Sequence, residues 1–184
     1  MNKFPLWLLA FSSFACAGNF NAIAAPAQLY GKSVVVTWFE ERDQRVDGEE
    51  QIRNVGRNGQ FSVYLSAAGR PFTRMNYSFS RPRGRSASGS KDAVGGESSG
   101  GNRSVVFQGN TLSVGMTMGG GARRILVNFE NGFQSCSAQV LTGKAEGVDR
   151  IRAKSIVNGK HIEILSVKTG AASCKVQDGN VFGG

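Results

Sequence analysis

A single histidine, His161, removes most familiar catalytic and metal chemistry from this chain of 184 residues. Zinc sites draw on several His or Cys ligands, and a lone imidazole on a strand reads as a surface residue. A Ser-His-Asp triad would have to be assembled in three dimensions, and no G-x-S-x-G elbow announces one. Gly31-Lys32-Ser33 has the ending of a phosphate loop, but Pro26 stands where its first glycine belongs. Gly119-Gly120-Gly121 falls between strands rather than before a helix. Asp43 to Gly48 approximates a calcium loop, yet Arg45 occupies a ligand position. The carboxylate pairs Glu40-Glu41 and Glu49-Glu50 read as solvated loop residues. The sequence therefore predicts no metal, no cofactor and no catalytic residue, so a non-enzyme is expected.

Long hydrophobic runs are scarce as well. The one candidate lies at the start, Leu6 to Phe14, broken by Ser12 and Ser13. It is too short to span about 30 Å of hydrocarbon, which takes roughly 20 residues. Lys3 precedes it, and Ala22-Ile23-Ala24 follows with small residues at the positions a signal peptidase reads. Residues 1–24 are expected to be a secretory signal peptide and 25–184 the mature chain, secreted or periplasmic, with no transmembrane span.

Cysteine is sparse in a useful way. Removing the leader discards Cys16 and leaves Cys136 and Cys174. In an oxidising compartment two such cysteines pair. The bridge would close a loop of about 39 residues and contribute roughly 3–4 kcal/mol.

Helical periodicity is missing too: no mature segment sustains it over three turns. Short alternating runs separated by Gly and Asn take its place, with 25 glycines and only four prolines. That pattern predicts an all-β fold of about ten antiparallel strands. A single-domain meander curled into a β-barrel is expected, with a β-sandwich as the alternative.

Register sharpens the prediction, because residues opposed across a hairpin share a face. A two-residue turn at Asn131-Gly132 sets Phe129, Val127 and Ile125 opposite Gln134, Cys136 and Ala138. One at Gly109-Asn110 sets Phe107 and Val105 opposite Leu112 and Val114. One at Asn158-Gly159 sets Val157 against Lys160, His161 against Ile156, and Lys154 against Glu163. A fourth, at Asn58-Gly59, brings Ile52 near Leu65, with Phe61 and Val63 on the same side. An opening strand carries Val34, Val36 and Trp38 on one face and ends near Glu40. The charged stretch from Glu40 to Glu50 is expected to link it to the next strand as a loop or short helix. Cys136 and Cys174 both fall on inward faces.

Acidic residues are the last shortage: 13 Asp and Glu against 22 Lys and Arg, a formal net charge of +9. Such an excess suits an anionic partner. The densest basic segment is Arg81-Pro82-Arg83-Gly84-Arg85, followed by Lys91 and closing at Arg103. Residues 81–102 are rich in Gly, Ser and Arg with almost no large apolar side chain, which predicts a mobile loop. Arg81, Arg83, Arg85, Lys91 and Arg103 are thus the candidate polyanion-binding residues, with Tyr77 and Phe79 nearby to stack. Arg123-Arg124 adds a basic spot whose faces strand alternation splits. The expected function is non-catalytic binding of an anionic glycan, a lipid headgroup or an acidic protein; nucleic acid is not the expected partner. The alternatives are a small-molecule carrier using a barrel interior, or a hydrolase whose site assembles only on folding.

Overall fold

The computed structural model describes residues 25–80, 86–94, 103–118, 121–144, 147, 150–157 and 159–182. A 3-10 turn at Ala27–Leu29 precedes ten strands among these residues: β1 (Lys32–Val46), β2 (Arg53–Leu65), β3 (Pro71–Ser80), β4 (Ser86–Val94), β5 (Arg103–Gln108), β6 (Thr111–Met118), β7 (Gly121–Glu130), β8 (Ser135–Lys144), β9 (Ile151–Val157) and β10 (Lys160–Asp178). All ladders are antiparallel. They build a six-stranded sheet, β4-β3-β2-β1-β10-β9, and a four-stranded sheet, β5-β6-β7-β8. One of the two curls into a half-barrel. The architecture thus lies between the barrel and the sandwich: two sheets, one of them curled. No helix among the described residues is long and apolar enough to cross a membrane.

Period-two alternation explains the core. Val34, Val36 and Trp38 of β1 point inward with Phe61, Val63 and Leu65 of β2. From the second sheet Leu112, Val114, Ile125, Val127 and Phe129 meet them in one cluster. Most are fully enclosed, and each such side chain stabilises the fold by about 1.5–3 kcal/mol relative to exposure. The sheets are also joined covalently. Cys136 on β8 and Cys174 on β10 form a disulfide with Cα atoms 5.5 Å apart, as the inward faces predict. Cys174 stands opposite Val36 and Cys136 opposite Phe129, so the bridge sits beside the apolar core.

Several local expectations are corrected. Asn58-Gly59 is no turn; it lies in the middle of β2. Gly59 stands opposite Trp38, and a Cβ there would overlap the indole ring. The glycine is needed for close approach of an aromatic ring, not for a bend. At Asn131 the loop has four residues, 131–134, so Phe129 meets Cys136 and Val127 meets Ala138. The slip is two residues, which keeps every side chain on its expected face. Asn131 and Phe133 both take positive φ there, and the Phe133 ring packs 5.1 Å from Phe129. The β5–β6 register agrees with expectation. At the β9–β10 hairpin the first two pairs, Val157–Lys160 and Ile156–His161, also agree. A bulge then shifts the ladder, and Glu163 faces Arg152 instead of Lys154.

Two expected loops contain strand. The opening strand does not stop at Glu40; β1 continues to Val46, paired with β2 as far as Gln44 and with β10 to its end. Within 81–102, Ser86–Val94 forms β4 against β3. Backbone pairing needs no apolar side chain, so low hydrophobicity predicted a loop where small residues form a sheet edge.

Candidate functional site

The inward face of β1 does not end with its apolar residues. Glu40 and Arg42 continue the series Val34, Val36, Trp38 in phase. On β2 the matching inward series is Val55, Arg57, Gly59, Phe61, and on β7 it is Arg123, Ile125, Val127. Register sets Glu40 opposite Arg57, and packing of the two sheets brings Arg123 across to it. One carboxylate and three guanidiniums therefore meet at one end of the core, beside a bulge between Trp38 and Glu40 in the β1–β10 ladder. Bulges commonly re-aim side chains at such places.

Glu40 is fully enclosed, and its partners are 12–15% exposed. Arg123 Nη2 donates to Oε2 at 2.6 Å, and Trp38 Nε1 donates to the same oxygen at 3.3 Å. Arg57 Nη1 lies 3.4 Å from Oε1, and Arg42 pairs with that oxygen too. Aromatic rings cover two of the cations. The Arg57 guanidinium sits 4.6 Å from the Tyr77 ring centre, and that of Arg123 lies 5.2 Å from Trp38. Thr142 Oγ1 on β8 accepts from Arg123 Nε at 3.3 Å. Arg42 Nε is buried with no hydrogen-bond partner among the described residues.

Burial alone would raise the pKa of Glu40. The charges of Arg123, Arg42 and Arg57, with the Trp38 N–H, outweigh it and hold the carboxyl below its ordinary value. Burial lowers Arg57 to about 10, with the Arg42 charge adding to the shift and Glu40 opposing it. Arg123 is also lowered, first by burial. Arg57 therefore remains charged at neutral pH, and Glu40 remains ionised. Its oxygens face only donors, so it is unsuited to act as a base. What the cluster offers is electrostatic: three guanidiniums against one carboxylate leave two positive charges unmatched among the described residues. Charges removed from water in this way cost several kcal/mol each unless they are paired.

A second ionic group lies further along β10. Glu163, also buried, accepts from Arg45 Nε at 2.8 Å and lies 3.5 Å from Arg150. Asp47 and Arg152 approach to 3.5 Å nearby.

Arg81, Arg83 and Arg85 lie outside the described residues. Lys91 is on β4 opposite Met75, and Arg103 opens β5 opposite Met116, so the two stand on edge strands of different sheets. Arg123 and Arg124 do divide between faces: Arg124 is exposed and donates to Ser113 Oγ at 3.3 Å. His161 is exposed on β10, and its carbonyl accepts from the Asp47 N–H. No three His, Cys, Asp or Glu side chains gather as a metal site among the described residues.

Sequence reasoning overlooked the Glu40 cluster, although a signal was present. Charged residues stand in phase with apolar ones in three separate segments, at Glu40 and Arg42, at Arg57, and at Arg123. A charge on an inward face needs a counter-charge on the facing one. No protein-family model matches this chain, and comparison with the curated proteins and with the solved structures finds no match either.

Proposed function

We propose that this chain is an exported, non-catalytic protein that binds an anionic ligand outside the cytoplasm. One observation carries the reading: Arg42, Arg57 and Arg123 converge on a single carboxylate, with two positive charges in excess among the described residues. A cluster built only to join the sheets would need one arginine for Glu40. The basic residues Arg81, Arg83, Arg85, Lys91 and Arg103 add long-range attraction for the same sign of charge. The leader-like residues 1–24 support export.

Retention on a matrix bearing a sulfated glycan tests the binding. The chain expressed from its full sequence should be retained, and retention should fall as salt rises. Arg57→Gln and the triple replacement of Arg81, Arg83 and Arg85 by Gln divide the effect between the cluster and the basic segment. If neither alters the salt needed for elution, the reading fails. Export has its own check, since the secreted product should begin at Ala25; a product that keeps Met1 would remove that part.

A further inference from the structure

Resting on that reading, we infer that Arg42, Arg57 and Arg123 form a site for a small tetrahedral dianion, the free sulfate ion or a terminal phosphate monoester. Charge is the first argument. Glu40 matches one cation and leaves two, so a dianion balances the cluster whereas a monoanion leaves one charge unpaired in a poorly solvated place.

Geometry is the second. The donors arrive from β1, β2 and β7, that is, from both sheets. Tyr77 and Trp38 lie over Arg57 and Arg123, so these guanidiniums present mainly their N–H edges. A planar carboxylate offers two oxygens in one plane and suits one facing fork. A tetrahedral group offers oxygens in several directions and suits donors arriving from different strands. Both Glu40 oxygens are already occupied, Oε1 by Arg42 and Arg57, Oε2 by Arg123 and Trp38. The buried Arg42 Nε is an unused donor inside the cluster. Size is the third argument. With Glu40 enclosed and the arginines 12–15% exposed, only a small group and not a polymer surface could reach these donors.

Isothermal titration of the full chain with sodium sulfate, inorganic phosphate and sodium acetate, at constant ionic strength, tests the inference. Sulfate and phosphate should bind at least about tenfold more tightly than acetate, the worth of one charge-assisted hydrogen bond. Arg57→Gln should weaken sulfate by a similar factor of about ten while moving acetate by less than about threefold. Arg57→Lys retains the charge but not the fork, and should weaken sulfate less than Gln does. Arg124→Gln removes one charge from the exposed face and should leave sulfate affinity unchanged. Vesicles distinguish the source of the dianion. Flotation with a lipid bearing a terminal phosphomonoester, but not with a phosphodiester lipid of equal amount, supports a headgroup; binding of the soluble anions without flotation supports a free ligand. Equal affinity for sulfate and acetate overturns the dianion site while leaving anion binding intact. Absence of binding to all three anions overturns the dianion site; retention on the sulfated matrix unaltered both by Arg57→Gln and by the triple replacement overturns the underlying reading as well.

Discussion

Glu40 shows how one residue can be indispensable to its neighbours while contributing modestly as a pair. Removing its charge leaves three guanidiniums at the end of the core with no carboxylate. Glu40→Gln should cost about 3–5 kcal/mol at neutral pH, the usual result of breaking a buried ionic cluster from one side. The pH dependence follows from the lowered pKa. The stabilisation is complete above the ordinary glutamate value of 4.5 and is lost as pH falls through the lower folded value. The stability difference between parent and Glu40→Gln, measured by urea unfolding, should therefore be constant at neutral pH and shrink in acid. A difference that grows in acid would contradict this account. Gly59 makes a second prediction at this scale. A methyl group there collides with Trp38, so Gly59→Ala should destabilise by about 1–3 kcal/mol, as overpacking does. A shift of tryptophan fluorescence should accompany it in a chain that starts at Ala25, where Trp38 is the one tryptophan. An unchanged urea midpoint would mean that the ring moves aside freely.

At the scale of elements, β10 illustrates what hairpin arithmetic leaves out. Its first two pairs are those that an Asn158-Gly159 turn predicts, but the bulge after His161 moves Glu163 away from Lys154. The carboxylate then pairs with Arg45 across the β1 ladder. Arg45 is more than a third exposed, so the pair is partly screened. Arg45→Ala should cost about 1 kcal/mol at low ionic strength, and less in high salt, as exposed pairs do. The urea midpoint at the two salt concentrations measures it, and a salt-independent loss would point to packing of the arginine stem instead. β4 holds the complementary lesson. Its small residues carry no core signal, yet its backbone completes the edge of a six-stranded sheet.

At the scale of the whole molecule, two links besides the shared apolar core join the sheets among the described residues. The Cys136–Cys174 disulfide stands beside the core, and the Glu40–Arg123 pair stands at one end of it. The disulfide spans 38 positions. Constraint of the unfolded chain by such a loop is worth about 3–4 kcal/mol. Replacing both cysteines with alanine should lower stability by that amount, read as a fall in Tm relative to the oxidised parent. A parent whose Tm is unaffected by reductant, with free thiols demonstrated, would show that the apolar interface alone carries the fold.

Alternation, glycine and asparagine placement, and the inward parity of the two cysteines were legible along the chain. They depend on local geometry, since side chains on a strand change face every residue whatever lies opposite. Parity counted along strands that run through Glu40 and Asn58-Gly59 would have marked Glu40, Arg57 and Arg123 as inward charges, but the expected loop and turn hid this, and parity could not say that they meet. That depended on three non-local facts: β1 continuing past Glu40, β2 running straight through Asn58-Gly59, and the second sheet laying β7 across both. Each is a choice between competing long-range pairings, decided by how the apolar faces close and by the cost of leaving a buried charge unmatched. The chain by itself determined strands, faces and the bridge. Tertiary packing decided which cations share a carboxylate, and so where the excess charge sits.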